Sequence, residues 1–325
     1  MSERPLERPK RPTLRDVAHA AGVSVWTVSN AYSRPDRIAP ATRERVLAAA
    51  SAIGYAGPDP AARSLALGRT RIVALVADGD AEPLLSDPSA ALMARGLVHA
   101  CDGAGVAVLF TGRVGEAAVD GAVHLRAAPG TTAAAAHPYV VLDAPPDEAA
   151  RVVRADVAGG AASAVRHLRE LGHRDVVVLT WPGAGERLDG ARDAWGGDDP
   201  MSVYMVSSER TAGPTAADGE TVARAALSQR PRPRAILALS DLLARGALHA
   251  AQRMGLDVPG DVSIVGLDDL EGNEPLGLTS VFVPYRPMGE LAGLMLAAMI
   301  EGGDPPMPDP LPTALAIRGS AGPPA

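Results

Sequence analysis

The stretch TLRDVAHAAGVSVWTVSNAYSRP, residues 13–35, carries side chains that could bind nucleic acid. Ser24 is expected to cap a helix, and Val28 with Ala31 would then turn towards the protein interior. The side chains expected to point away from the interior are then those of Val25, Trp26, Thr27, Ser29 and Asn30. Hydroxyl groups commonly contact phosphate oxygens, and an asparagine amide can pair with N6 and N7 of adenine. These residue types indicate a helix that contacts DNA.

The charge of the chain is distributed unevenly. The 325 residues have a formal net charge of −7, yet residues 1–71 hold 12 Lys and Arg against 6 Asp and Glu, and the remainder holds 19 against 32. A basic segment on an acidic chain suggests a nucleic-acid-binding head, preceded here by a disordered basic tail over residues 1–12. The alternative is that the charge reflects only a solvated tail with Arg4, Arg8, Lys10 and Arg11.

Three short helices are predicted over residues 13–57. Thr13 with Asp16 is typical of a helix N-cap, and Gly22 is expected to end this first helix. The second helix follows the next cap, and a third spans residues 40–54 without a side-chain cap, because Ala39 precedes it. Two helices joined by a tight glycine turn, with a third behind them, match the helix-turn-helix layout.

The segment GPDPAARSLALGRT, residues 57–70, is predicted to be a boundary. Turn-forming residues open it, and AARSLAL is compatible with a helix that is too short to be stable alone. We expect a hinge helix and linker over residues 58–70 that folds only when something packs against it.

From Arg71 onwards the chain alternates apolar runs with Ala-rich helical segments, a pattern typical of parallel sheets covered on both faces. The runs form two series, which predicts two doubly wound α/β subdomains at roughly residues 71–173 and 174–280. Crossover segments and the C-terminal part of residues 71–325 would complete both. The predicted strands lie in RIVALVADG, GVAVLFTG, VDGAVHL, YVVLDAP, RDVVVLTWPG, MSVYMVSS, PRAILALSD, DVSIVGLDD and LPTALAIRGS. TSVFVPYRP is predicted to be a crossover segment, and MGELAGLMLAAMIEG to be the helix that follows it.

Several chemistries are disfavoured by the sequence. The single cysteine, Cys101, rules out an internal disulfide and a zinc site built on cysteines. No G-x-S-x-G, H-E-x-x-H or P-loop pattern occurs, and the seven histidines are scattered, so we expect no enzymatic activity, no cofactor and no metal. The chain has no run of 18 apolar residues and no signal-peptide pattern, which predicts a cytoplasmic protein without membrane contact.

The motifs resemble those of the lactose/galactose-repressor family of bacterial transcription regulators over nearly the whole chain. TLRDVAHAAGVSVWTVS is similar to the head of that family, TRERVLAAASAIGY to its third helix and PAARSL to its hinge helix. GGAASAVRHLRELGHRDVVVL, ERLDGARDA, SDLLARGALHAA, VPGDVSIVGLDDL and LTSV resemble landmarks of its periplasmic-binding-protein-like body, in the same order. The resemblance implies a repressor that binds a pseudo-palindromic double-stranded DNA operator and is controlled by a small-molecule effector.

The resemblance also assigns DNA-contacting positions. It places Val25, Trp26 and Asn30 at base edges, and it places a hinge leucine that wedges between base pairs at Leu65. Many members have arginine where Asn30 stands, so a different half-site is expected. Trp26 could instead pack within the helices, and Leu65 could pack only on a partner hinge. The remaining expected DNA contacts are Thr13, Ser24, Thr27, Ser29, Ala62 and Arg63.

The family's effector-binding positions fall on Arg187, Asp268 and Asp143. Each follows a predicted strand or opens the next helix, where open α/β sheets bind ligands. Ser240 replaces a common asparagine, and Asp78 is a further candidate after the first strand. An Arg or Asp at such a position can equally be a structural helix cap. A sugar or a nucleoside is the expected effector class.

Two other functions share parts of these patterns. A Rossmann-like enzyme would share the doubly wound sheets, but GAGERLDG does not fit G-x-G-x-x-G and does not follow the first strand. A solute-binding protein would share the body but not the helical head. The chain ends soon after its last predicted strand without a leucine heptad helix, so a homodimer is expected and not a tetramer.

Overall fold

The fold is described from a computed structural model, which covers residues 12–57, 69–77, 86–114, 118–128, 137–148, 150–196, 201–206 and 213–324. The chain forms two compact units, Met1–Thr70 and Arg71–Ala325, and each is described by itself. The predicted hinge residues Ala62, Arg63 and Leu65, as well as Asp78, lie outside the described residues.

The N-terminal unit contains the three predicted helices, α1 (Leu14–Ala21), α2 (Val25–Ser33) and α3 (Pro40–Ala52), with a short 3-10 turn at Pro35–Arg37. The Asp16 carboxylate accepts hydrogen bonds from the backbone N and the Oγ1 of Thr13. Gly22 ends α1 with a φ of +63°, a conformation that favours glycine. The predicted caps are therefore confirmed.

The helices of this unit share a small apolar core. It consists of Val17, Ala18, Ala21, Val28, Ala31, Val46 and Ala50. The inward positions predicted for the second helix are thus confirmed. No side chain caps α3, as expected from Ala39.

The first subdomain of the body is built on a five-stranded parallel sheet, in the order β2-β1-β3-β4-β5. Helix α4 packs against this sheet. The strands are β1 (Ile72–Ala77), β2 (Ala107–Thr111), β3 (Gly121–Leu125), β4 (Tyr139–Leu142) and β5 (Arg151–Val153), and α4 is Pro88–Gly103. Strand β5 was not predicted.

The second subdomain is built on a six-stranded sheet, in the order β11-β10-β9-β8-β6-β7, in which only β11 is antiparallel to its neighbour. Val176 and Val178 pack into one core, whereas Val177 and Leu179 pack into another, so both faces are covered. The elements are α5 (Val157–Glu170), β6 (Val176–Thr180), α6 (Gly185–Trp195), β7 (Met201–Met205), α7 (Ala216–Leu227), β8 (Ala235–Ala238), α8 (Asp241–Arg253), β9 (Ser263–Asp268), β10 (Thr279–Phe282) and β11 (Ala314–Ala316).

The chain crosses between the subdomains at more than one place. Helix α5 packs against α6, β10 and β11, so the chain enters the second subdomain before residue 157 and not at the predicted boundary near residue 173. The long helix α9 (Tyr285–Ile300) follows β10 of the second sheet but packs on α4, β3 and β4 of the first. A Cβ atom at Gly289 would overlap the carbonyl oxygen of Met93, so α9 and α4 are in backbone contact.

No helix in the described part of the chain combines the length and the apolar content that crossing a membrane requires.

Candidate functional site

The exposed face of α2 and its N-cap carry five of the ten residues predicted to contact DNA. Trp26 is 66% exposed and Val25 is 43% exposed, which is unusual for large apolar side chains. The Oγ of Ser24 accepts a hydrogen bond from the backbone N of Thr27 at 3.0 Å and so caps the helix. Ser29 lies on the same exposed surface. Trp26 does not pack within the helices of its own unit, so the alternative that it is a core residue of the helices is not supported.

Asn30 does not have the free face expected of it. Its side chain is buried, with 8% of the residue exposed, and its Nδ2 donates a hydrogen bond to the backbone oxygen of Trp26 at 3.0 Å. The prediction considered only which apolar residues turn inward. A short polar side chain can instead fold back on the backbone one turn earlier in its own helix. Asn30 therefore supports the turn that carries Trp26.

A cavity of about 540 Å³ lies in the body and is lined by residues of both subdomains. Arg126 and Asp143 follow β3 and β4 of the first sheet, whereas Trp181, Ser240 and Asp268 come from the ends of strands in the second sheet or just beyond them. Parallel strands bring their carboxyl ends to one edge, where open α/β sheets bind ligands. The cavity therefore occupies the position expected of a binding site.

Arg187, Asp268 and Tyr285 form a buried ring of hydrogen bonds on the wall of the cavity. Nη1 of Arg187 lies 2.9 Å from Oδ1 of Asp268, and Nη2 of Arg187 donates to the Tyr285 hydroxyl at 2.7 Å. The same hydroxyl donates to Oδ1 of Asp268 at 2.6 Å. Nη1 of Arg187 also donates to the carbonyl oxygen of Leu239 at 2.7 Å. The ring satisfies charges that burial would otherwise penalise.

Burial and charge act in opposite directions on the groups of this ring. Burial lowers the pKa of Arg187, but the combined effect of Asp268, Tyr285 and Asp143, with Asp268 the largest of the three, holds that pKa above its ordinary value. Burial raises the pKa of Asp268, although the Arg187 guanidinium opposes the shift. Both effects come from the same close pair in a site from which water is largely excluded.

A second charged cluster surrounds Arg126 in the first subdomain. Its Nε lies 2.7 Å from Oδ2 of Asp143, its Nη1 contacts Asp87, and its Nη2 donates to the Oγ of Ser89 at 2.6 Å. Burial alone would raise the pKa of Asp87, yet Arg126 together with the hydrogen bonds from Ser89 lowers it below its ordinary value. Arg126 and Asp143 have φ angles of +54° and +58°. Such left-handed conformations in residues other than glycine are frequent at ligand sites.

Ser240 and Asp241 connect the cavity wall to the core behind it. The Oγ of Ser240 accepts from the backbone N of Leu243 at 3.4 Å, so Ser240 caps α8 while it lines the cavity. The neighbouring Asp241 is fully buried and accepts hydrogen bonds from Ser280 and Asn273. The position of Ser240 is therefore compatible with both interpretations, a structural helix cap and a residue of the binding site.

The structure brings together four of the effector residues suggested by the sequence, namely Asp143, Arg187, Ser240 and Asp268. Sequence reasoning missed Arg126 and Tyr285, which hold the two charged clusters together. Arg126 directly follows the predicted strand in VDGAVHL, which is a signal that could have found it. Tyr285 lies three residues after β10, in a segment that was predicted to be a crossover and not a strand. Val283 is buried and does not line the cavity.

Comparison with known proteins assigns the family. Residues 13–57 match bacterial regulatory proteins of the lacI family, and residues 165–321 match the periplasmic binding protein-like domain. The HTH-type transcriptional regulator CelR of Thermobifida fusca is 34% identical, over 97% of this chain and 100% of CelR. The chain belongs to the lacI family of bacterial regulatory proteins, and it is a DNA-binding transcriptional regulator.

Solved structures agree with this assignment. A structure of a transcriptional regulator CelR–cellobiose complex has 31% sequence identity and a TM-score of 0.66, covering 95% of this chain and 100% of that one. The lac repressor dimer bound to operator and the anti-inducer ONPF has a TM-score of 0.78 at 24% identity, covering 96% of this chain and 99% of that one, and this likeness concerns the fold.

Proposed function

We propose that this protein is a homodimeric repressor that acts in the cytoplasm, and that a small hydroxylated molecule in the cavity controls its affinity for a pseudo-palindromic operator. The observation that carries this proposal is the ring of Arg187, Asp268 and Tyr285 on the wall of the cavity of about 540 Å³. A forked cation beside a carboxylate can donate to and accept from neighbouring hydroxyl groups. Sugars and nucleosides carry such groups, and the related CelR structure contains cellobiose.

On the DNA side, the proposal rests on the exposed face of α2. Val25 and Trp26 offer apolar surface for thymine methyl groups or sugar edges, and Ser24, Thr27 and Ser29 offer hydroxyls for phosphates. We assign Asn30 the task of holding the turn that carries Trp26. Thr13 at the start of α1, and Ala62, Arg63 and Leu65 in the hinge, complete the proposed DNA contacts.

Control by the effector requires two arrangements of the body. A ligand shifts an equilibrium only by its difference in affinity for the two states. The cavity is lined by both subdomains, so a molecule that contacts Asp143 on one side and Arg187 on the other favours one subdomain arrangement. We propose that the hinge segment responds to this arrangement, because a short helix depends on its surroundings for stability.

The proposed dimer surface includes two edge strands. Leu109 and Phe110 on β2, and Val203 and Met205 on β7, are exposed although they lie in strands. An apolar edge strand is a template for association, which proteins normally suppress with charges or coverage. A second copy of the chain would cover these strands, as in an assembly like the lac repressor dimer.

The proposed function is tested with DNA selected by the purified protein from random duplexes. Binding to the selected duplex is expected to weaken steeply with salt, with a slope of about −0.9 in log K per neutralised phosphate. Trp26→Ala is expected to weaken specific binding more than binding to random duplex, because base contacts carry sequence information. An affinity that does not depend on salt would contradict the DNA-binding mode.

The effector side is tested by calorimetry with sugars and nucleosides on the wild type and on Arg187→Ala. We expect binding by the wild type and at least a tenfold loss in the variant, because a buried charged hydrogen bond contributes about 1.5–3 kcal/mol. Arg192→Ala, exposed on the same helix, is the matched control. A compound that binds Arg187→Ala as tightly as it binds the wild type would place the effector elsewhere.

A further inference from the structure

The cavity carries an excess of acidic side chains. Among the residues that the structure describes, its charged lining consists of the carboxylates Asp87, Asp143, Glu186, Asp189 and Asp268 and the guanidiniums Arg126, Arg154 and Arg187. We propose that the molecule bound here is a hydroxylated amine, such as an amino sugar, and that the cavity rejects sugars bearing a carboxylate or phosphate. The inference rests on the proposed function and specifies the chemical class of the effector.

Each guanidinium of the lining already has an acidic partner. Arg126 contacts Asp87 and Asp143, and Arg187 contacts Asp268. The third, Arg154, donates from Nη1 to Oε1 of Glu186 at 2.9 Å. An anionic group that approached any of these cations would also approach the carboxylate beside it, and like charges in a partly enclosed cavity repel strongly.

Several carboxylate oxygens keep capacity to accept hydrogen bonds. Asp189 has no hydrogen-bond or ion-pair partner within the part of the chain that the structure describes, and Asp143 uses only Oδ2 for Arg126. Oδ2 of Asp268 has only a long contact, 3.4 Å from the backbone N of Asp241. A primary ammonium group offers three donors and a positive charge, which fits this set of acceptors.

Helix N-termini at the rim would by themselves favour an anion, since each carries a partial positive charge. Four helices begin near the cavity, and each has an acidic residue at its cap or in its first turn. These residues are Asp87 for α4, Asp156 for α5, Glu186 for α6 and Asp241 for α8. Asp156 and Asp241 offset two of these helix ends from outside the lining. The other two ends, each equivalent to about half a positive charge, do not cancel the excess of two carboxylates over guanidiniums in the lining.

Fluorescence quenching of Trp181 tests, without a ligand, whether the cavity has a negative electrostatic potential. The variant Trp26→Phe removes the exposed tryptophan, and Trp195 is only 4% exposed, so quenching in this variant reports on Trp181 in the cavity wall. Caesium and iodide ions are compared, and the quenching constant of each ion is divided by its constant for N-acetyltryptophanamide, a neutral indole compound free in solution. The Arg187 guanidinium lies 5.4 Å from the Trp181 ring, so a locally positive site would favour iodide.

We expect caesium to quench Trp181 at least about twofold more effectively than iodide after this normalisation, because a negative cavity concentrates cations. Asp189→Asn should reduce this ratio, whereas Asp193→Asn, on the same helix but outside the lining, should leave it unchanged. A preference for iodide, or equal effects of the two variants, would overturn the inference while leaving the proposed function intact.

The ligand class is tested by calorimetry with hexoses of gluco, galacto and manno configuration, each as the 2-amine, the parent sugar and the uronate. At least one amine should bind about tenfold more tightly than its parent, and its uronate should bind least. A parent sugar or uronate that binds more tightly than its amine overturns the inference and supports the proposed function. If none of these compounds binds but a nucleoside or another neutral sugar of the calorimetric screen does, the inference is overturned and the proposed function is supported. If no sugar and no nucleoside binds, the proposed function is contradicted and the inference falls with it.

Discussion

The N-terminal helices and the cavity of the body differ in how far apart in the sequence their partners lie. In the helical unit, Ser24 is paired with Thr27 and Thr13 with Asp16, three residues away in each case. In the cavity, Arg187 is paired with Asp268, 81 residues further along the chain. The first kind of contact follows from helix geometry alone, whereas the second requires a complete sheet.

The two regions also differ in burial, and therefore in what a substitution should do. The hydroxyls of α2 are exposed or half-exposed, so losing one removes a modest local contact. The ring of Arg187, Asp268 and Tyr285 is almost fully buried, so losing one member leaves a charged or polar partner without compensation. Stability should thus be far more sensitive to changes in the cavity than in the helices.

The largest effect is expected for Arg187→Ala. The free energy of unfolding of the body should fall by about 3–5 kcal/mol, because Asp268 is left buried without its counter-charge. Urea titration followed by tryptophan fluorescence measures the change. Arg192 is exposed on the same helix, and Arg192→Ala should change the free energy of unfolding by less than about 0.5 kcal/mol. If the two variants are equally stable, the buried pair of Arg187 and Asp268 does not contribute to the free energy of unfolding.

Tyr285→Phe should have the next largest effect. It removes a hydroxyl that donates to Asp268 and accepts from Arg187, which should lower the free energy of unfolding by about 1.5–3 kcal/mol. Tyr204→Phe, in the edge strand β7, serves as the control in the same urea titration, since Tyr204 is only half-buried. A larger loss for Tyr204→Phe would reverse the comparison between the buried ring and the surface.

Asp241 should make the stability of the body depend on pH. Burial and the nearby Asp268 charge raise its pKa to about 6, although three hydrogen-bond donors oppose the shift. The folded state therefore retains a proton that the unfolded state, with a pKa near 3.8, releases. The stabilisation is greatest below about pH 4, declines as the pH rises through 6 and is absent above it.

This contribution amounts to about 2 kcal/mol between pH 4.5 and 7. It is measured as the difference in free energy of unfolding between the wild type and Asp241→Asn, because asparagine does not titrate. The wild type should lose stability relative to the variant over this interval. If the wild type and Asp241→Asn differ in free energy of unfolding by the same amount at pH 4.5 and at pH 7, Asp241 does not hold the proton.

A smaller effect is expected for Ser24→Ala in the helical unit. Loss of the cap to the backbone N of Thr27 should destabilise α2 by about 1 kcal/mol. Amide hydrogen exchange of the full chain measures this locally, and the amides of the body should be unaffected. Ser33→Ala, at the other end of α2, is the control, and comparable deprotection by both variants would argue against the cap.

The smallest effect should be a gain in stability. Ala39 precedes α3 without a side-chain cap, and Ala39→Ser supplies an oxygen for the first helical turn. The amides of α3 should become more protected by about 0.5–1 kcal/mol. The wild-type alanine lacks the side-chain oxygen and is the reference. Equal protection in the serine variant and the wild type would show that the new hydroxyl does not cap the helix.

Most of the secondary structure could be predicted from the sequence, because caps, glycine turns and apolar runs act locally. The exceptions have physical causes. Strand β5 spans only Arg151–Val153 and is too short to give a periodic pattern. Asn30 was misplaced because its amide bonds to its own helix, an interaction that apolar periodicity does not reveal.

The sequence by itself determined the helical unit, the two series of strands and four of the residues that line the cavity. Only the tertiary structure decided how those residues are paired. Arg126 and Tyr285 became visible as site residues only once the strand order had brought their partners next to them. Hydrophobic periodicity reports which face of an element is buried, whereas an ion pair between distant segments depends on the register and order of whole strands.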